Sequence, residues 1–209
     1  MKKIESISNA TLNRLPTYLR YLRAALKEGK EFISSVTIAE DLSLNSVQVK
    51  KDLALVSTLE GKPKKGFELN QLVFDIESYL GVNDDKKAII VGVGKLGTAL
   101  LSYKGFQKYG LQLVAGFDIN EQLHGNVIGG AEIYSMEDVS YFVKEHNVKM
   151  AIVAVQAKVA QSVCDQLVEA GINAILNFAP TNLIVPKGVR VRDVDIAASL
   201  AILSTLQQR

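Results

Sequence analysis

A glycine-containing segment between residues 86 and 120 constrains the fold of this chain more than any other feature. The run Ala88-Ile89-Ile90-Val91 has the length and the β-branched content of a buried parallel strand. It is followed by Gly92-Val93-Gly94-Lys95-Leu96-Gly97, by a helical pattern, and by a second apolar run that ends at Asp118. A strand, a G-x-G-x-x-G turn, a helix and a second strand with a terminal acid, in this order, predict a dinucleotide-binding βαβ unit.

The residue types of this segment also predict its chemistry. Gly92 allows a tight turn, Gly94 lets the backbone approach a pyrophosphate, and Gly97 lets the helix pack closely on the strand. The free N–H groups at the start of that helix would face the phosphates. Asp118 would accept hydrogen bonds from a ribose diol and repel a 2′-phosphate, which favours NAD over NADP. The alternative is a glycine-rich turn that binds no ligand.

Composition limits the classes of protein to consider. The chain has 209 residues, of which 48% are hydrophobic and 22% are charged, and this is typical of a soluble globular protein with one large or two modest domains. The single Cys164 fits a reducing cytosol, and we interpret it as a buried apolar residue rather than a nucleophile. We expect a cytoplasmic protein without a signal peptide, a membrane span or a metal site.

The first 80 residues predict a helix-turn-helix. A short helical turn should be followed by a longer helix with Pro16 at its first position and Gly29 at its end. A short helix then leads to a tight turn at residues 43–45, and a third helix should run from Ser46 to about Thr58. The apolar pattern of this third helix predicts that four side chains face inward, namely Val47, Val49, Leu53 and Val56.

The charge distribution favours DNA as the partner of this part of the chain. Residues 1–80 carry 12 Lys and Arg against 10 Asp and Glu, whereas the rest of the chain is balanced. The third helix has a polar first half, and residues 60–67 predict a basic hairpin that would form the wing of a winged helix. The alternative is a solvated helix face and a solubilising turn. The predicted DNA-binding residues are Ser46, Gln48, Lys50, Lys51, Lys62, Lys64 and Lys65.

The second half of the chain continues the alternation of strands and helices. After a polar linker at residues 81–85, it predicts helices at 136–147 and 159–170 and strands at 151–155, 173–178 and 188–194. This order favours a doubly wound parallel sheet, whose strand ends should line the cofactor crevice or else form ordinary turns. The predicted cofactor-binding residues are Gly92, Val93, Gly94, Lys95, Leu96, Gly97, Asp118, Ile119, Asn120, Gln156, Ala157, Asn177, Phe178, Ala179 and Pro180.

The last predicted element is an apolar helix. No charged residue lies between Asp195 and Arg209, and a helix that is apolar on nearly all sides must be buried. We expect it to insert into a partner subunit, with packing on its own domain as the alternative. The predicted domains are a winged helix at 1–80, a Rossmann domain at 85–193 and a dimerisation helix at 194–209.

Several strings in the chain are similar to those of a known family. They are Ala10-Thr11-Leu12-Asn13-Arg14-Leu15-Pro16 with Tyr21, Val49-Lys50-Lys51-Asp52-Leu53, the glycine motif, Phe117-Asp118, Ile175-Leu176-Asn177-Phe178-Ala179-Pro180 and Val194-Asp195. From about residue 9 to residue 206 the chain resembles the Rex family of redox-sensing transcriptional repressors. The resemblance implies a homodimer with swapped C-terminal helices, which binds a palindromic operator and releases it when NADH binds. It implies a redox switch at Arg14, Tyr103 and Asp195, in which Asp195 pairs with Arg14 of the other subunit when NADH is bound. When the nicotinamide is oxidised, Asp195 pairs with Tyr103.

The chain departs from the family pattern mainly in the part that would read DNA. Residues 54–57 read Ala-Leu-Val-Ser where the family has Ser-Tyr-Phe-Gly, and the wing ends in Lys65-Gly66-Phe67-Glu68 instead of the family's Arg/Lys-Gly-x-Gly-Tyr. In the nucleotide part, Gln156 replaces a proline and Asn120 replaces an acid. An alternative function is therefore a sensor of NAD or coenzyme A with altered or lost DNA binding.

An NAD-dependent dehydrogenase is a further alternative. Such an enzyme needs a group that transfers a proton at the nicotinamide. The chain has only two histidines, His124 and His146, and both are interpreted as surface residues away from that ring. We therefore expect a binding protein rather than an enzyme.

Overall fold

The computed structural model describes residues 7–62 and 65–206, and the chain divides after Asp84 into two compact units. Within the described residues the first unit contains four helices and a two-stranded antiparallel sheet. The elements are α1 (Asn9–Lys27), β1 (Phe32–Ile33), α2 (Ser35–Asp41), α3 (Ser46–Val56), β2 (Phe67–Glu68) and α4 (Leu69–Leu80).

Side-chain caps set the starts of these helices. Ser8 accepts a hydrogen bond from the N–H of Thr11 at the start of α1, and Ser34 accepts one from Thr37 at the start of α2. Asn45 caps α3 by accepting from the N–H groups of Val47 and Gln48. The predicted turn before α3 is present, and together α2, this turn, α3 and the β1–β2 pair confirm the winged helix-turn-helix fold.

Pro16 lies inside α1 and not at the first position of a helix, so this prediction was wrong. Proline removes only one hydrogen bond of the helix, the one that would reach the carbonyl of Leu12. Leu15 before the proline and Leu19 after it are both fully buried on the same side of the helix. The packing of this face therefore keeps the two predicted segments in one continuous helix.

Val47 was predicted to face inward, but 59% of it is exposed. The buried positions of α3 are Val49, Asp52, Leu53 and Val56, which follow the i, i+3, i+4, i+7 spacing of one helical face. Val47 precedes Val49 by two residues, about 200° around the helix, and so points to the opposite side. The buried face includes a carboxylate, Asp52, where a purely apolar pattern had been expected.

The second unit is built on a seven-stranded sheet with the strand order β5-β6-β4-β3-β7-β8-β9. All neighbouring strands are parallel except β5 and β6. The strands are β3 (Lys86–Val91), β4 (Leu111–Asp118), β5 (Val127–Ile128), β6 (Ala131–Ser135), β7 (Met150–Val153), β8 (Ala174–Asn177) and β9 (Arg190–Asp193). The helices are α5 (Lys95–Leu101), α6 (Val139–Glu145), α7 (Ala157–Ala170) and α8 (Ile196–Leu206).

This order confirms the predicted doubly wound sheet. The chain goes from β3 to β4 on one side and later returns to β7 on the other side of β3, so the strand order reverses at β3. Ligands of such sheets bind outside the carboxyl ends of the strands at this reversal. The sheet therefore places residues that follow β3, β4 and β7 around one crevice.

The two faces of the sheet have separate apolar clusters. Ile89 and Phe117 belong to the cluster that includes residues of α6 and α7, whereas Ile90 and Ile133 belong to the cluster that includes Leu101 of α5. Ile89 and Ile90 point to opposite faces because side chains alternate along a strand. Cys164 is fully buried in the first cluster, and burial raises the pKa of its thiol, which confirms its interpretation as an apolar core residue.

Strands β5 and β6 were not predicted from the sequence. These strands are short, and two glycines with positive φ, Gly129 and Gly130, connect them. β6 extends the sheet beyond β4, and its Ile133 is fully buried. Alternating polar residues such as Glu132 in a strand of this length weaken the apolar signal, and pairing with β4 decides the conformation.

Helix α8 exposes most of its apolar side chains. Ile196, Leu200, Ile202 and Leu203 are between 58% and 68% exposed. Large exposed apolar surfaces are uncommon on monomeric soluble proteins. In the part of the chain that the structure describes, no helix is both long enough and apolar enough to cross a membrane.

A buried carboxylate on α4 provides a test of how the first unit is held together. Asp75 accepts hydrogen bonds from the backbone N–H of Thr58 at 2.7 Å and from Nε2 of Gln71 at 2.9 Å. We expect Asp75→Ala to lower the free energy of unfolding by about 1–3 kcal/mol, because the N–H and hydroxyl of Thr58 and the amide of Gln71 lose their common acceptor. Denaturant unfolding followed by circular dichroism measures this change. Glu40→Ala, at an exposed position of α2, serves as the control, and an equal effect of both variants would contradict the assignment.

Candidate nucleotide-binding site and DNA-binding helix

The glycine turn after β3 has a geometry that only glycine satisfies at two positions. Gly92 has φ +93°, and a Cβ atom there would lie 2.5 Å from the carbonyl oxygen of Ala154. A Cβ atom on Gly97 would lie 2.0 Å from the carbonyl oxygen of Gly92. At Gly94, by contrast, an added Cβ atom would meet nothing within 4 Å. Gly92 and Gly97 therefore build the turn, while Gly94 leaves open space beside it.

Helix α5 begins at this turn without a side-chain cap. Gly94 is its N-cap residue, and no side chain accepts from the first N–H groups of the helix. The first N–H groups of a helix have no carbonyl partner within it, and they carry the positive end of the helix dipole. This arrangement suits the phosphates of a dinucleotide.

Asp118 at the end of β4 stabilises the glycine turn through hydrogen bonds to backbone N–H groups. Its Oδ2 accepts a hydrogen bond from the N–H of Val93 at 2.6 Å, and its Oδ1 accepts one from the N–H of Asn120 at 2.9 Å. The ring Nε2 of His124 lies 2.8 Å from the carbonyl oxygen of Asp118. Each carboxylate oxygen can accept a further hydrogen bond, so Asp118 can also bind the hydroxyls of a ribose.

Two hollows lie at the carboxyl ends of the strands. The first has a volume of about 580 Å³ and includes Gly92, Gly94, Asp118, Ile119 and Gln156 of the predicted set. The second has a volume of about 670 Å³ and includes Leu96, Phe178, Ala179 and Pro180. Gly92 and Gly94 line the first hollow, and Leu96 lines the second. The structure thus places nine of the fifteen predicted cofactor-binding residues in these two hollows.

Six residues predicted to bind the cofactor line neither hollow: Val93, Lys95, Gly97, Asn120, Ala157 and Asn177. Asn177 is fully buried, and its Nδ2 donates to the carbonyl oxygen of Thr181 at 2.8 Å and to Oδ1 of Asp193 at 2.7 Å. Its Oδ1 accepts from the N–H of Ala179 at 3.0 Å. Asn177 therefore supports the loop that lines the second hollow from inside the protein.

Sequence reasoning missed a group of residues in the first hollow. Half of them belong to α7, the helix that follows β7 in the chain. The helical spacing of Val159, Ser162, Val163 and Gln166 could have indicated that this face of α7 turns toward the crevice. The additional residues of the first hollow are Val91, Phe117, Met136, Ala154, Val155, Lys158, Val159, Ser162, Val163 and Gln166.

Helix α3 of the first unit exposes the side chains predicted to bind DNA. Gln48, Lys50 and Lys51 are exposed, and Ser46 is partly exposed at the first turn. In the wing, Lys62 and Lys65 are exposed, and their ammonium groups lie 5.6 Å and 5.4 Å from the ring centroid of Phe32. Lys64 lies outside the described residues.

A buried carboxylate beneath this surface joins α1 to α3. Asp52 is completely buried and receives the guanidinium of Arg14 on both oxygens, with Nε at 2.6 Å from Oδ2 and Nη2 at 3.0 Å from Oδ1. The hydroxyls of Thr11 and Tyr18 donate to it at 3.0 Å and 2.8 Å, and Nε2 of Gln48 donates at 2.9 Å. We call these five residues the Asp52 cluster.

The electrostatics of the Asp52 cluster favour a charged carboxylate. Burial alone would raise the pKa of Asp52, but hydrogen bonds from Arg14, Tyr18, Gln48 and Thr11 outweigh it and hold the pKa below its usual value. The hydrogen bond to Asp52 raises the pKa of Arg14, and burial together with that carboxylate raises the pKa of Tyr18 to about 12. Asp52 and Arg14 therefore remain an ion pair across the neutral pH range.

The three residues of the expected redox switch have different surroundings. Arg14 is paired with Asp52, as described above. Tyr103 is exposed and packs edge-on against Phe106 with ring centroids 5.3 Å apart. Asp195 lines the second hollow and accepts a hydrogen bond from the N–H of Ala198 at 2.8 Å at the start of α8. No hydrogen bond joins Tyr103 to Asp195 in the part of the chain that is described, so their pairing remains a prediction.

Both units of the chain are similar to known proteins. Residues 6–54 match the family described as putative DNA-binding protein N-terminus, and residues 83–181 match the family described as CoA binding domain. The redox-sensing transcriptional repressor Rex of Treponema denticola is 39% identical over 94% of this chain and 93% of its own length. The Rex protein of Roseiflexus sp. is 38% identical over 96% of this chain and 90% of its own.

The chain belongs to the Rex family of redox-sensing transcriptional repressors. Among solved structures, it is similar to the Rex-family repressor RSP in complex with β-NAD+ and operator DNA, with a TM-score of 0.91 and 33% identity. That similarity covers 97% of this chain and 93% of the other. RSP in complex with β-NADH has a TM-score of 0.87 over 97% of this chain and 95% of its own. The resemblance of the sequence strings to the Rex family is thereby confirmed.

Gly94 and Gly97 have different surroundings, so substitution of each by alanine should affect a different property of this Rex-family chain. Gly94→Ala should fold normally, because nothing lies near its Cβ, but the methyl group should lower nucleotide affinity about tenfold or more by occupying the ligand side of the turn. Gly97→Ala should lower the melting temperature, because its Cβ would overlap with the backbone of Gly92.

Calorimetric titration with NADH and thermal unfolding measure these two effects. A Gly94→Ala variant that binds NADH as tightly as the native protein would mean that the pyrophosphate does not approach this turn.

Proposed function

We propose that this chain is a redox-sensing transcriptional repressor, which binds operator DNA as a homodimer and releases it when NADH occupies the Rossmann domain. The observation that carries the proposal is the similarity, over 97% of the chain, to a Rex-family repressor whose structures hold operator DNA, β-NAD+ and β-NADH. Because this similarity covers both units, it supports the DNA part and the nucleotide part of the proposal together.

The proposed ligand of the second unit is NADH or NAD+. One matching family is described as a CoA binding domain, so coenzyme A is the natural rival. The adenosine of coenzyme A carries a 3′-phosphate, whereas both riboses of NAD have free diols. Asp118 places a carboxylate with acceptor capacity at the end of β4, where it would bind a diol and repel a phosphate. This carboxylate supports NAD over coenzyme A.

The proposed DNA-binding surface combines α3 with the wing. The polar side chains at the start of α3 would enter the major groove, and the lysines of the wing would contact phosphates. A homodimer would place two such helices on the two halves of a palindromic site. The residues proposed to contact DNA are Ser46, Gln48, Lys50, Lys51, Lys62, Lys64 and Lys65.

Apolar surfaces of the second unit support the homodimer. Helix α8 exposes apolar side chains that a single chain leaves in water. A groove of about 260 Å³ on the sheet is a second apolar surface, lined by strand residues such as Leu113, Ile152 and Leu176. Burial of apolar area drives association, so both surfaces support the binding of a second copy of this chain. We infer that α8 inserts into the partner subunit.

The proposed switch acts through Asp195. This residue lines the second hollow together with Phe178, Ala179 and Pro180, where the nicotinamide would lie. The oxidised and reduced nicotinamides differ by one positive charge and one hydride, so a carboxylate near the ring can respond to the difference. Asp195 would pair with Tyr103 in the oxidised state and with Arg14 of the partner subunit in the reduced state. Coupling of this kind is typically about 1–3 kcal/mol.

A binding role fits the chain better than turnover. Relatives of the chain are named as transcriptional repressors. Neither histidine lines a hollow: His124 contacts the backbone of Asp118, and the ring of His146 lies 4.2 Å from that of Phe142. We infer that the protein is not an enzyme and that it acts in the cytoplasm, where its DNA partner is found.

The central test measures DNA binding under different redox conditions. In a gel-shift assay, the protein should bind fragments of DNA from its own genome when no nucleotide is added and when NAD+ is added. Addition of NADH should dissociate these complexes. Asp118→Ala should weaken NADH binding at least tenfold, because the ribose loses its acceptor, and should therefore make DNA binding insensitive to NADH. Asp165→Ala, on the exposed side of α7, is the matched control. NADH binding without DNA binding would favour a nucleotide sensor with another partner.

The second test concerns the dimer. Replacement of Leu200 and Leu203 by Glu should convert the dimer into monomers. Insertion of α8 into the partner subunit would then bury two unpaired negative charges, which costs free energy. Analytical ultracentrifugation measures the mass. Tyr141→Glu, at an exposed aromatic residue on α6, is the control and should leave the mass unchanged. A normal dimer after the double substitution would exclude α8 from the interface.

A further inference from the structure

The amide of Gln48 is held before any DNA is bound. Gln48 lies exposed on α3, yet its Nε2 donates a hydrogen bond of 2.9 Å to Oδ1 of Asp52, one turn further along the same helix. A charged carboxylate only accepts hydrogen bonds, so the NH2 group of the amide must face Asp52. The orientation of the Gln48 amide is therefore determined by its buried partner.

Asp52 itself is fixed from the opposite side by α1. Arg14 approaches both of its oxygens, and the hydroxyls of Thr11 and Tyr18 each donate to one of them. Paired, parallel N–H groups of a guanidinium restrict the orientation of a carboxylate more than a single donor does. The carboxylate can thus neither rotate nor move toward solvent without breaking several hydrogen bonds. Gln48 is therefore hydrogen-bonded to a carboxylate whose position is fixed and whose charge is balanced by Arg14.

We propose that Asp52 is a positioning residue, which orients the Gln48 amide so that it reads an adenine in the major groove. The hydrogen bond to Asp52 uses one N–H of the amide and leaves the second N–H and Oε1 exposed. An adenine presents N7 as an acceptor and its N6 amino group as a donor, and a glutamine binds both with one N–H and one oxygen. A side chain that is ordered before binding loses less conformational freedom when it binds.

The chain contains the same pair a second time, away from the DNA-binding helix. On α4, Nε2 of Gln71 donates to Oδ1 of buried Asp75 at 2.9 Å, with the same spacing of four residues. Asp75 is held by Thr58 and not by an arginine. Removal of Asp75 should therefore destabilise the same unit without changing base recognition, and this makes it a matched control.

The inference rests on the proposed function and deepens it. Oδ1 of Asp52 accepts from Nη2 of Arg14 at 3.0 Å and from Nε2 of Gln48 at 2.9 Å. Arg14 is the residue that the proposed switch engages from the partner subunit, and Gln48 is a residue that reads DNA. A single oxygen atom therefore connects the two. Any displacement of Arg14 would change the hydrogen bonding of the carboxylate that orients Gln48.

The test uses the full-length protein and an operator that it selects from random-sequence DNA. In this operator, each adenine is replaced in turn by purine, which lacks the N6 amino group, or by 7-deazaadenine, which lacks N7. At one adenine of each half-site the native protein should lose roughly tenfold or more in affinity for both analogues. Gln48→Ala and Asp52→Ala should abolish this difference between adenine and its analogues, and Asp75→Ala should keep it.

Several outcomes would overturn the inference. An Asp52→Ala variant that still distinguishes adenine from both analogues would show that Gln48 needs no positioning. A uniform loss of affinity at every position, or the same loss in Asp75→Ala, would show that Asp52 acts only on stability. Failure to select any operator would contradict the proposed function, and the inference would fall with it. A selected operator without a Gln48-dependent adenine would contradict the inference alone.

A measurement on the native protein covers the case in which Asp52→Ala does not fold. Side-chain ¹⁵N relaxation without DNA should show that the amide of Gln48 is as restricted as that of Gln71. A Gln48 amide that moves freely while the Gln71 amide is restricted would overturn the inference.

Discussion

The second unit depends on the close approach of α5 to the end of β3. At Gly97 the helix backbone lies so near the carbonyl of Gly92 that a Cβ atom would be only 2.0 Å from its oxygen. This approach directs the uncapped first turn of α5 at the crevice and lets Asp118 reach the N–H of Val93. The groups proposed to bind phosphate and ribose are thus positioned by a single contact between two backbone segments. Any side chain at Gly97 would disturb all of them together.

The first unit depends on buried carboxylates in addition to its apolar core. Asp52 joins α3 to α1, and Asp75 joins α4 to the residues that follow α3. A buried charge costs free energy unless other groups compensate it, so each carboxylate requires several donors in a definite geometry. An apolar contact tolerates small displacements, whereas such a cluster does not. Helix α3, which is proposed to bind DNA, is therefore held in one rotation relative to α1.

A redox-dependent repressor needs only a modest free energy to change state. Coupling between two binding sites is typically about 1–3 kcal/mol, which is similar to the contribution of one hydrogen bond to a charged group. The change of partner proposed for Arg14 and Asp195 would therefore be large enough to alter DNA affinity. The Asp52 cluster places Arg14 two hydrogen bonds from Gln48, so such a change would reach the DNA-binding surface over a short distance.

The sequence by itself determined the features that depend on neighbouring residues. The order of strand, glycine turn, helix and acid predicted the Rossmann unit, and the absence of charge after Asp195 predicted the apolar helix α8, because local backbone geometry and periodicity carry this information. Tertiary structure decided the exposure of Val47, the continuity of α1 through Pro16 and the supporting position of Asn177. It also decided the role of Asp52, whose partner Arg14 lies 38 positions away in the chain. No local pattern predicts such a contact, because it forms only when the packing of distant helices has brought the two charges together.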